Sequence, residues 1–173
     1  MMVVLAAILS TAMVFQYAWN ELPCPLCLLQ RVAMFGVCFG LIMHFRFGFS
    51  YQYTGISMVS TVFLLIVSVR QTLLDIYPRP GHEYVGTSIL GIHMPVWSAI
   101  IATALVFGFS LQFIFFGNIK NLQQPLARQF PWLNFVALAV SLYVIAIGVI
   151  NFVSVGVQCG LGQCHTMGYA LLK

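Results

Sequence analysis

Glu21-Leu22-Pro23-Cys24-Pro25-Leu26-Cys27-Leu28-Leu29-Gln30-Arg31 sets two thiols and a cation at the mouth of an apolar run that continues to Phe47. Cys24 and Cys27 are three positions apart, so one helical turn brings them together and a disulfide can close within that turn. Pro23 and Pro25 suit a loop end or a first helical turn, where a missing N–H costs little. Arg31 follows Cys27 by one turn on the same face. A nearby guanidinium and a helix N-terminus both favour thiolate over thiol. The stretch predicts a redox-active pair at the head of an apolar helix.

Composition says what surrounds that helix. Of 173 residues, 61% are hydrophobic and 6% are charged. A soluble domain carries about 25% charged residues, so this chain has too few polar groups to cover a water-facing surface. It reads as an all-α integral membrane bundle. The net charge of +4 is too small and dispersed to suggest nucleic acid, and the basic residues inform topology instead. Five cysteines make two pairs and one left over, and the paired arrangement suggests an oxidising side of a membrane.

Five apolar runs are long enough to cross about 30 Å of hydrocarbon as helices. They are Met2–Trp19, Leu28–Phe47, Thr54–Leu74, Pro95–Phe116 and Trp132–Val155. The first lacks a basic leader and a small-residue cleavage site, so it reads as a retained span. No linker or repeat divides the chain, and residues 1–173 read as one transmembrane domain.

Counting crossings puts the Cys24/Cys27 loop, Asp75–Met94 and the tail Gly156–Lys173 on one side. The N-terminus, His44–Tyr53 and Gly117–Pro131 share the other. The second side carries Arg46, Lys120 and Arg128 without an acid; the first mixes Arg31, Arg79 and Lys173 with Glu21, Asp75 and Glu83. The positive-inside rule places the second side in the cytoplasm and both cysteine pairs outside.

The second pair is Cys159 and Cys164, with Gly160 and Gly162 between them. So small a loop closes easily, and past the fifth helix it forms a pliant tail. One anchored and one mobile pair on the same side are suited to disulfide exchange. Cys38 falls mid-helix and reads as a small buried hydrophobe. Arg70 and Gln71 lie near the outer end of the third helix, where either can face the bundle and bind a polar ligand head; the competing reading of Arg70 is a side chain reaching the headgroups. Prolines and glycines across Ile76–Gly86 exclude a regular helix there. The stretch Thr87–Trp97 reads as an interfacial piece leading into the fourth helix.

Cys24-Pro25-Leu26-Cys27, followed by Gln30-Arg31, resembles the DsbB family of bacterial quinone-reducing, disulfide-forming membrane proteins. Gln71-Thr72-Leu73-Leu74-Asp75-Ile76-Tyr77-Pro78 is similar to the outer end of that family's third helix. Leu90-Gly91-Ile92-His93-Met94-Pro95-Val96-Trp97 is similar to the approach to its last core helix. The likeness implies a four-helix core, to which this chain adds one span, in the bacterial inner membrane, with a ubiquinone or menaquinone head near the outer helix ends. It implies that Cys27 meets the quinone, that Cys24 is its disulfide partner, and that Arg31 assists the quinone. Gln71 stands where some members have a histidine. The implied partner is a periplasmic thioredoxin-fold thiol oxidase of the DsbA kind. The chain departs from the pattern because Asp75–Met94 holds no cysteine, so Cys159 and Cys164 are expected to meet the partner. The other readings are a vitamin-K epoxide reductase-like enzyme running electrons the other way, and a non-enzymatic carrier holding metal on four thiols.

Overall fold

The computed structural model describes residues 1–19, 24–77, 88–89, 91–116 and 131–159. Five helices carry the fold: α1 (Met2–Ala18), α2 (Pro25–Phe47), α3 (Tyr51–Ile76), α4 (Met94–Phe116) and α5 (Pro131–Cys159). The last four are long and apolar enough to cross a membrane. At 17 residues α1 is shorter than the expected span, about 25 Å at helical rise against about 30 Å of hydrocarbon.

The boundaries depart from hydropathy where capping chemistry acts. α2 begins at Pro25, three residues before the expected start, because Cys24 caps it: the Cys27 N–H donates to Cys24 Sγ at 3.2 Å. Pro25 takes the first helical position, where its fixed φ is already helical. Cys27 therefore sits inside the helix and Cys24 on its threshold. At the other end α2 stops at Gly48, whose φ of 90° suits a residue without a side chain. α3 begins at Tyr51, not Thr54, because Ser50 accepts from the Gln52 N–H. It runs two residues past Leu74, to Ile76.

α5 is the clearest correction. It was expected to end at Val155 and to release a pliant tail carrying both distal cysteines. Instead Gly156, Val157 and Gln158 stay helical and Cys159 ends the helix. Gln158 is fully buried, which holds that last turn against the bundle. A short antiparallel hairpin, Ser88–Ile89 with Ile92–His93, stands directly before α4 where an interfacial piece was expected. Gly91 in its connection has a φ of 76°.

α2 packs on α3, α3 on α4, and α1 and α5 pack on each other and on α2. The apolar core runs through Leu5, Leu9, Val37, Cys38, Leu64 and Phe109. Cys38 is fully buried, as its mid-helix place suggests. Large apolar residues such as Phe107, Ile114, Phe135 and Phe152 face outward. Gln16, Gln30, Arg31, Gln71, Ser98, Asn151 and Gln158 face inward. That inversion suits lipid, where an amide or charge is costly outside and can find partners inside.

α2 and α3 approach closely through small residues. A side chain at Gly40 would stand 2.7 Å from the Tyr53 carbonyl oxygen, and one at Gly36 would strike Ser60. Ser57 Oγ donates across the same seam to the Val37 carbonyl at 3.2 Å. This close packing holds the outer end of α3 over the head of α2.

Candidate redox site at the head of helix two

Cys24 and Cys27 lie with their sulfurs 2.6 Å apart at the N-terminus of α2. Both are free thiols, partly buried. The hydrogen bond to Cys27, and burial after it, push the Cys24 thiol well above its ordinary range.

The donor that meets the sulfurs comes from α3. Gln71 Nε2 lies 3.3 Å from Cys27 Sγ and 3.4 Å from Cys24 Sγ. Its other end is occupied, because Gln30 Nε2 donates to Gln71 Oε1 at 2.9 Å. That bond settles the amide's orientation: the oxygen takes the proton from Gln30, and the NH2 group is left for sulfur. Gln71 is only 4% exposed, so water does not compete for these bonds. Of the two adjacent candidates on α3, Gln71 turns to the bundle. Arg70 lies on the exposed face, in an open groove of about 860 Å³ with Leu65, Ile66, Val69 and Leu73.

Arg31 is 9% exposed and directs its hydrogen bonds to α1 and α5. Its Nη1 donates to Gln16 Oε1 at 2.6 Å and to Asn151 Oδ1 at 3.2 Å, and its Nη2 to the Ala12 carbonyl at 3.0 Å. The Met13 sulfur lies 3.6 Å from Nη1. Among the described residues its hydrogen-bond partners are all neutral, and they come from α1 and α5. The guanidinium thus ties three helices together one turn below the thiols. Beside it Gln16 Nε2 is buried and has no hydrogen-bond partner among the described residues. Tyr17 OH bonds Ser154 Oγ next along the same seam.

The geometry thus brings together Cys24, Cys27, Gln71 and, one layer deeper, Arg31. Cys164 lies outside the described residues, and of Cys159 the helical backbone alone is described. Glu21, Arg79, Glu83, Lys120, Arg128 and Lys173, whose charges entered the sidedness argument, also lie outside them. The interlocking of Gln30 with Gln71, and of Gln16 and Asn151 with Arg31, was not anticipated. A signal was available: lone amides in Phe15-Gln16-Tyr17 and Ile150-Asn151-Phe152 are expensive in lipid unless something inside the bundle receives them.

Geometrically, this is a dithiol able to close to a disulfide, with a fixed donor on its sulfurs. A buried cation and a spare amide donor lie beneath it. Residues 1–84 match the family model for disulfide bond formation protein DsbB. The match takes in α1, α2 and α3 and stops before α4 and α5. Comparison with curated proteins and with solved structures finds no match.

Proposed function

From the match of residues 1–84 to the DsbB family model, we propose that the chain is a disulfide bond formation membrane protein of that family and a thiol:quinone oxidoreductase. It would reoxidise a thioredoxin-fold dithiol protein of the DsbA kind and pass two electrons to a membrane quinone, ubiquinone or menaquinone. The observation that carries the reading is the donor from Gln71 Nε2 to both sulfurs of a closable pair, 3.3 and 3.4 Å away.

The fit of a quinone rests on donors. Quinone carbonyls only accept hydrogen bonds, and Gln16 Nε2 beside Arg31 is a buried donor with no acceptor among the described residues. Arg31 and Gln16 would hold the head group, while Gln71 serves the sulfurs. A quinone bound there accepts two electrons and two protons.

In the proposed sequence a partner thiolate attacks the Cys159–Cys164 disulfide, and the partner's second thiolate resolves the mixed disulfide. The partner leaves oxidised, and the distal pair holds two electrons and two protons as thiols. That pair then reduces the Cys24–Cys27 disulfide by the same two-step exchange. Gln71 donates to the sulfur carrying negative charge, and a donor to a charged acceptor is stronger than one to a neutral acceptor. Cys27, the sulfur inside the helix, is the one assigned to deliver the electrons; Cys24 then closes on it to re-form the disulfide, and the two thiol protons leave with the two electrons. Gln30 keeps the Gln71 NH2 group aimed at the pair throughout. Arg70 takes no part in the sulfur network; its open groove faces the lipid from which a quinone would arrive.

We assign the cysteine end of the bundle to the periplasm of the bacterial inner membrane, with the N-terminus cytoplasmic. Support comes from His44 and Arg46 in the last turn of α2, at the opposite end from the thiols.

Purified protein, a reduced thioredoxin-fold donor and a soluble quinone analogue test the reading. Quinone reduction should depend on donor, and Cys24→Ser and Cys27→Ser should each abolish it. Full activity in either variant would remove the assignment. Electron flow only from quinol to donor would favour the epoxide reductase-like alternative.

A further inference from the structure

α5 meets the rest of the bundle through a polar face. Tyr143 OH lies 2.8 Å from Ser10 Oγ, Asn151 Oδ1 accepts from Arg31 at 3.2 Å, and Ser154 Oγ bonds Tyr17 OH. The partners advance together along both chains, so α1 and α5 run parallel. α2, which follows α1 across the Cys24 turn, starts at the end where α5 finishes.

The Arg31–Asn151 bond is a shared zero from which to measure height. Cys24 lies seven residues before Arg31 in α2, and Cys159 lies eight residues after Asn151 in α5. At helical rise these are about 10 Å and about 12 Å in the same direction. Allowing for the reach of the two side chains, the ends lie within about a helical turn of each other in height.

We infer that Asn151 is a positioning residue: its bond to Arg31 sets the register of α5, so that the helix ends at Cys159 level with the thiol threshold of α2. The register is specific because the groups that set it are polar. Asn151 is 2% exposed, and a one-residue slip turns it about 100° from Arg31. That slip would leave a buried cation short of an acceptor and a buried amide without its donor. The value of a level pair for electron transfer rests on the proposed relay; the register itself does not.

The test uses the full chain with Cys27→Ser, Cys38→Ala and Cys164→Ser, which leaves Cys24 and Cys159 as its thiols. Copper phenanthroline takes two electrons from the two thiols, two protons leave, and one sulfur–sulfur bond forms. Non-reducing peptide mapping follows its rate. A Cys24–Cys159 bond is expected in this background. Asn151→Leu should slow it about tenfold, and Asn151→Asp, which retains an acceptor for Arg31, should restore it. A single alanine inserted after Gly156 leaves Asn151 in place but rotates the helix end by about 100°, and should slow the bond as much. No bond in the parent, or a parent-like rate with Asn151→Leu, overturns the inference. Should Asn151→Leu fail to fold, a parent-like rate in the insertion variant overturns it alone. Donor-driven quinone reduction by Cys159→Ser, run alongside, separates the two claims. Full activity there would discard the relay and leave the register standing.

Discussion

Replacing Gln71 by leucine tests the site most directly. The substitution keeps the volume and apolar packing of the side chain while deleting two donors and one acceptor. Two effects follow. The first acts on chemistry: both sulfurs lose the Nε2 donor now 3.3 and 3.4 Å away. A hydrogen bond to a charged group contributes about 1.5–3 kcal/mol, and these contacts to a large acceptor belong at the lower end. A loss of about 1.4 kcal/mol is a factor of about ten, so the reactive thiolate should become about tenfold less available. The second acts on stability: Gln30 Nε2, buried and now without its acceptor, costs about 1–3 kcal/mol. The assay is iodoacetamide alkylation of the reduced protein at fixed pH, read at Cys24 and Cys27 by peptide mass spectrometry, beside thermal unfolding in the same detergent. Gln30→Leu should share much of the effect, because Gln71 is then free to turn its oxygen toward the sulfurs. The double variant should be far less than additive, since both changes break one chain of bonds. Gln71→His, which restores an N–H donor, should recover part of the rate. Alkylation within twofold of wild type in Gln71→Leu, in a folded protein, would refute the assignment of Gln71 as the sulfur donor.

Four further outcomes are expected. Arg31→Ala strands acceptors on Gln16, Asn151 and Ala12, at about 1–3 kcal/mol for each one left dry, and should lower both the melting temperature and quinone use; an unchanged melting curve would show that the guanidinium does not tie the three helices. Cys27→Ala removes the main cause holding up the Cys24 thiol, so the Cys24 pKa falls, more thiolate is present at pH 8, and alkylation of Cys24 there should quicken; a slower rate contradicts the cause. Gly40→Ala drives a methyl group toward the Tyr53 carbonyl and should destabilise by about 1–3 kcal/mol in thermal unfolding, whereas Gly148→Ala meets only the Phe35 ring at 3.5 Å and should be neutral. Cys38→Ala should leave quinone reduction untouched, since that thiol lies in the apolar core, outside the sulfur network.

Much was legible from residue order alone, because the relevant physics is local. Scarcity of charge demands lipid, and lipid demands helices; two cysteines one turn apart must meet if a helix forms there. The five helices, the thiol pair at the head of α2 and the family resemblance all follow from such short-range rules. Even the end of the bundle shared by Cys24 and α5's last turn follows from counting crossings. Capping shifted the boundaries by a few residues, most tellingly at α5, where packing around Gln158 keeps Cys159 helical.

What residue order left undecided is which way each polar side chain points. In a soluble helix the apolar stripe marks the inside. In α1, α4 and α5 both lipid and core are apolar, so periodicity carries almost no such mark. Arg70 and Gln71 are neighbours in the chain, and only the docking of α3 on α2 turns the second toward the sulfurs and the first toward the groove. Arg31 was read against Cys27, four positions away, yet its hydrogen bonds among the described residues go to Ala12, Gln16 and Asn151, with the Met13 sulfur beside them. The last of these is 120 positions distant, and bonds across such separations exist only after the helices have packed.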